Sequence, residues 1–244
     1  GGELRTEYST KETRLVGKNS ASRYVFCPTS YKDAGKELRL ELTTYTSNYS
    51  GVVNSIYCGD QSAIWQIIFH QYGPSTFIGF FVLFSGMTII LFSMILGFLY
   101  HINFDMEYLG WCMIMGAVWL LGESKLRQIL VPNASALGSL CFVMIILCPI
   151  PLLLYADSIQ NGRHRRLYLI AGGIVLANFA FSSILYSTGI KDYIEMLPFG
   201  QVILVAVFVM VFVHLFQYLH KSKYHTDRLL LVGLLLIMVC VTIE

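Results

Sequence analysis

Charge is what this chain has least of. Asp, Glu, Lys and Arg make up 13% of its 244 residues, against about a quarter in an ordinary soluble domain. With apolar residues at 55%, that scarcity excludes a free-standing soluble domain and predicts a membrane protein. Net charge is only +2, and Lys and Arg are spread along the chain without forming a stripe, so no nucleic-acid-binding face is expected. Phosphate loops, G-x-S-x-G elbows, H-E-x-x-H and paired catalytic carboxylates are also missing, and with them any expectation of catalysis or a cofactor within these residues. The six cysteines contain no C-x-x-C, which argues against a metal centre. Cys112, Cys141, Cys148 and Cys240 lie in apolar runs as small hydrophobes, while Cys27 and Cys58 lie in polar sequence, either free or, if that part is outside the cell, paired.

What is present divides near Pro74. Up to Gly73 the chain carries eight Lys or Arg and seven Asp or Glu, with no long apolar run. In this part, "TRLVG", "SRYVFC", "KELRLELT" and "GVVNSIYCGD" have strand character. Leu38, Leu40 and Leu42 alternate with Glu37, Arg39 and Glu41, which predicts a strand with one apolar face and hence a β-sandwich at 1–73. From 74 to 244 the expectation is a helical membrane domain, because a span needs roughly 20 apolar residues. Spans are predicted near 75–100, 108–131, 137–155, 167–188, 196–219 and 229–244. The second is the least regular: its apolar run meets Glu123, Lys125 and Arg127 in "WLLGESKLRQILVPN", and only by continuing to Val131 does it reach membrane thickness.

Loop charge orients the spans. The loop at 156–166 holds Arg163, Arg165 and Arg166, and that at 220–228 holds Lys221, Lys223 and Arg228, whereas 189–195 has one Lys and two acids. The positive-inside rule puts the basic loops in the cytoplasm and the N-terminal part outside. The chain opens on Gly-Gly with no Met or signal segment, and it closes on Glu244 directly after an apolar run. Missing sequence on both sides is therefore expected, including a seventh span.

These features carry a resemblance. "YKDAGKELRLELTTYTSNYSGVVNSIYCGD", "WLLGESKLRQILVPN", "PIPLLLY", "RRLY" and "TGIKDYIEMLP" together resemble the bacterial seven-transmembrane receptors with diverse intracellular signalling modules, most closely the clostridial type that continues into a GGDEF diguanylate cyclase. The resemblance implies an extracellular jelly-roll domain, partly truncated, followed by six of seven transmembrane helices. It implies a sensor in the bacterial plasma membrane that controls synthesis of cyclic di-GMP. GTP and magnesium would belong only to the effector, since no GGDEF motif, kinase histidine box or phosphodiesterase motif occurs here. The implied partners are the lipid bilayer, an unidentified extracellular ligand and a second copy of the chain, pairing through helices and effector. A histidine-kinase sensor, a secondary transporter and an adhesive structural protein are the competing readings; no internal repeat supports the transporter.

Four candidate site residues come from the second span. In a continuous helix Glu123 and Arg127 share a face four residues apart, as do Ser124 and Gln128, and Lys125 points away to snorkel. They form either a ligand or coupling patch near the outer mouth of the bundle or a structural helix junction. Asn178, mid-span with Ser182 one turn on and Gly173 and Ala177 as a small-xxx-small pair, serves either interhelical packing or a polar sensing pocket. Arg163, Arg165 and Arg166, with His164, form a basic loop that holds orientation and touches anionic lipid, or docks the effector. His214, His220 and His225 lack zinc-site spacing and read as solvated or interfacial.

Overall fold

The computed structural model describes residues 3–9, 23–43, 53, 55–101, 105–131 and 133–220. Among them there are seven α-helices and one three-residue 3-10 turn, Tyr31–Asp33, and no strand. The expected jelly roll is therefore overturned. Residues 36–43 run irregularly, with Leu38, Leu40 and Leu42 at 72%, 62% and 61% exposure. A strand with one apolar face is stable only when a second layer covers that face, and none is present among the described residues. "TRLVG" lies outside them.

Polar contacts gather around Asp33 in this segment. Asp33 accepts hydrogen bonds from the Ser30 backbone N–H and Lys36 and pairs with Arg5 at 2.8 Å. The Ser30 N–H, then Lys36, then Arg5 hold its carboxyl down at about 2.

Helix α1, Gln61–Tyr100, is 40 residues long and begins well before Pro74, so the expected boundary between polar and membrane parts falls inside one continuous helix. Asp60 stands at its N-cap position and accepts from Ser62 Oγ at 2.5 Å, and hydrogen bonds from Ser62 and the Gln61 backbone lower its pKa. Helix α2, Met106–Glu123, returns antiparallel along α1. Small residues permit the close approach: Gly79, Gly86 and Ser93, seven apart, form the buried stripe of α1. A methyl group on Gly86 would lie 2.9 Å from the Gly110 carbonyl, and one on Gly110 would lie 2.6 Å from Ile90. The larger side chains of α1, such as Phe77, Phe81, Phe84 and Leu91, point outward, as they must where the solvent is hydrocarbon.

After α2 come α3, Arg127–Leu130, and α4, Ala134–Leu147. Helix α5, Pro149–Ile159, continues α4 with a kink: Cys148 keeps helical backbone angles, but Pro149 has no N–H to offer the preceding turn. Helices α6, Arg165–Ser187, and α7, Tyr193–His220, complete the bundle. Two Schellman turns reverse the chain at its ends. At the end of α5, Asn161 and Gly162 have positive φ and Gly162 N–H reaches back to the Asp157 carbonyl; at the end of α6, Gly189 does and Ile190 N–H reaches Leu185.

The main core lies between α5, α6 and α7. On α7, Leu204, Val207, Phe208, Val211 and Leu215 recur at helical spacing and pack on Leu152, Leu153 and Ala156 of α5 and Tyr168, Ala171 and Val175 of α6.

Four segments among the described residues are long and apolar enough to cross a membrane: Gln61–Tyr100, Ser135–Ile159, Arg165–Ser187 and Tyr193–Tyr218. The chain is thus a membrane-embedded helical protein. Among the described residues these correspond to four of the six expected spans. The one near 229–244 lies outside the described residues. That at 108–131 is broken: α2 stops at Glu123, giving about 27 Å of helix where roughly 30 Å of hydrocarbon must be crossed.

Candidate functional site

The break after α2 is built by Ser124. Its backbone turns extended, at φ −61° and ψ 131°, and its Oγ accepts from the Leu126 N–H at 3.3 Å, a serine turn that competes with helix continuation. The Arg127 N–H closes the same turn on the Ser124 carbonyl at 3.0 Å. A broken helix leaves carbonyls without partners and a negative dipole end. Arg127, only 8% exposed, supplies both needs: its guanidinium folds back and donates to the Gly122 carbonyl. Glu123 stays exposed at the surface. The continuous-helix register expected for Glu123 with Arg127, and for Ser124 with Gln128, is therefore replaced by a turn in which Arg127 caps the helix that Glu123 ends.

Ser124 also ties α2 to α1, its Oγ lying 2.6 Å from Thr76 Oγ1. Thr76 Oγ1 donates to the Tyr72 carbonyl at 2.8 Å, and a hydroxyl carries one proton, so Ser124 is the donor to Thr76. A directed chain results, from the Leu126 N–H through Ser124 and Thr76 to the Tyr72 carbonyl. Its Thr76 to Tyr72 step bridges Pro74, where α1 lacks a backbone donor.

The polar N-terminal segment docks on this junction. The Tyr24 backbone N–H donates to Gln128 Oε1 at 3.0 Å across 104 positions of sequence. Lys125 sits over two aromatic faces, 5.6 Å from the Tyr24 ring centre and 5.5 Å from that of Tyr72, close enough for cation–π attraction. The two tyrosine rings are 6.4 Å apart, and Phe26 packs on Trp65 at 5.2 Å. Burial first, then the hydrogen bond with Tyr72, raises the Tyr24 phenol above its usual value. On the other side, Gly122 lies against α4 so tightly that a Cβ would collide with Cys141 Sγ. One turn of chain thus touches the N-terminal segment, α1, α2 and α4.

Of the candidates, Ser124, Arg127 and Gln128 come together here, and Glu123 borders them. Thr76, Tyr24 and Tyr72 were not anticipated, since no spacing in the sequence relates them to the turn. Asn178 is elsewhere. It is half-buried on α6, its Nδ2 3.8 Å from the Cβ position of Gly200 on α7, with Ser182 buried one turn away. Gly173 and Ala177 face outward, so their small surfaces do not serve packing within this bundle.

The opposite end of the bundle holds the basic loop. Arg163, Arg165 and Arg166 are exposed around a groove of about 510 Å³. Beside them, His164 meets His214 edge-on at 4.6 Å, and His214 Nδ1 is 2.7 Å from the Met210 carbonyl. Burial, then the charges of His214 and Arg163, lower the His164 pKa. Gln160, 2% exposed, donates to the Tyr168 hydroxyl at 2.7 Å and braces the loop from below. No group of His, Cys, Asp and Glu suited to a metal occurs among the described residues. Cys27 and Cys58 are free and exposed.

Comparison with protein-family models, with curated proteins and with solved structures finds no match for this chain.

Proposed function

We propose that this chain is the sensing and membrane-spanning part of a bacterial signal receptor, and that the turn at Ser124 to Gln128 transmits between its polar N-terminal segment and its helices. The observation that carries the proposal is the Tyr24 to Gln128 hydrogen bond together with Lys125 on Tyr24 and Tyr72. A displacement of the N-terminal segment by a ligand must break or move these contacts, and the same turn holds the end of α2 through Ser124 and Arg127. A ligand shifts such an equilibrium only by its differential affinity for the two arrangements. The positive-inside rule favours Arg163, Arg165 and Arg166 at the cytoplasmic face and the junction outside. The output is then an effector beyond these residues. A GGDEF diguanylate cyclase, using GTP and magnesium and working as a dimer, is the leading class, and a histidine kinase the next.

The test uses membranes containing the full-length protein. With GTP and magnesium they should form cyclic di-GMP, and Lys125→Ala combined with Gln128→Ala should change its basal rate at least severalfold while the protein remains folded. Absence of cyclic di-GMP under all conditions sinks the cyclase assignment, and autophosphorylation by ATP would put the kinase in its place. An unchanged rate in the double variant removes the junction from signalling.

A further inference from the structure

Two thiols on different helices meet inside the bundle. Cys112 lies near the start of α2 and Cys148 at the kink between α4 and α5, with 3.8 Å between their sulfurs and 36 positions between them in sequence. Cys148 is 7% exposed and Cys112 half-buried, with Trp111 beside it 49% exposed on the outer surface of the bundle. Cys141 also lies on α4, but its thiol is engaged by the Val118 carbonyl at 3.3 Å. Closure to a disulfide needs the sulfurs to move from 3.8 Å to roughly 2.05 Å. Each side chain has a single rotatable bond to do so, and the proline kink at Cys148 is where the helix backbone yields most readily.

From this pairing we propose that Cys112 and Cys148 form an oxidisable dithiol within the membrane, whose oxidant is a lipid-soluble quinone. In the reaction both S–H bonds break and one S–S bond forms. The two electrons and two protons pass to the quinone, which becomes the hydroquinone, so atoms and charge balance. A thiol pair in hydrocarbon is reached by oxidants that dissolve there, and Cys112 is the sulfur nearer the surface. The disulfide would clamp α2 to the junction of α4 and α5, so that the redox state of the membrane sets how these helices are held together. The proposal does not depend on the signalling role of the Ser124 turn.

The experiment treats the full-length protein, reduced in liposomes, with decyl-ubiquinone, then blocks the remaining thiols after denaturation and maps the peptides by mass spectrometry. The expected result is a Cys112–Cys148 peptide pair two hydrogens lighter than the reduced peptides. Reduction should reverse it, and the oxidised form should unfold at a higher temperature in detergent. Cys112→Ser and Cys148→Ser should each abolish the crosslink while leaving helix content unchanged. The proposal is overturned if both thiols remain alkylatable after quinone treatment of folded protein, or if the sulfurs pair with other cysteines instead.

Discussion

At the scale of single residues, Arg127 shows how a charge is made tolerable near hydrocarbon. Its cost of burial is offset because it meets the orphan carbonyl of Gly122 at the negative end of α2. Hydrogen bonds to charged groups are worth about 1.5–3 kcal/mol, so Arg127→Ala should destabilise the protein by about 2 kcal/mol, read as a lower unfolding midpoint in detergent. Arg127→Lys should recover only part of the loss, because a lysine lacks the planar fork. A full-strength midpoint in the alanine variant would remove the cap from the account. Exposed Glu123 carries no such role, and its replacement by Gln should leave the midpoint nearly unchanged.

Between elements, the contact of α1 with α2 depends on what is missing at Gly86 and Gly110. Gly86→Leu would drive a side chain into the Gly110 carbonyl, 2.9 Å from the first added atom, and overpacking of this kind costs roughly 1–3 kcal/mol. Gly116, on the same helix as Gly110, has open space around its Cβ position. Gly116→Ala should therefore be neutral or stabilising, by up to about 1 kcal/mol of helix propensity. Thermal unfolding of the two variants side by side checks the claim, and equal loss in both would contradict it. The same elements show why the strand expectation failed. Leu38, Leu40 and Leu42 have the alternation of a sheet, but alternation states only which residues would share a face, and among the described residues no second layer buries that face.

Over the whole molecule, α1 is about 60 Å long by its 40 residues, twice the thickness of the hydrocarbon core. A helix of that length extends beyond the hydrocarbon over part of its course, and its first turns carry Trp65 against Phe26 of the N-terminal segment. A charged maleimide that does not cross membranes should label Cys27 and Cys58, both exposed, and spare Cys112, Cys141 and Cys148 until the protein is denatured. Equally fast labelling of the second group would contradict the packing of these three thiols between helices.

Membrane residence was legible in the sequence because it is a sum: scarce charge and long apolar runs act residue by residue, whatever they touch. The same is true of the apolar runs at 137–155, 167–188 and 196–219, where composition suffices. Tertiary structure alone decided the rest. Whether "GESKLRQ" continues a helix or ends one depends on Thr76 offering a partner to Ser124, and on Tyr24 reaching Gln128 across 104 positions. Such contacts have no period and leave no trace in spacing. A hydroxyl that can serve either its own backbone or another helix is settled only by which helix arrives beside it.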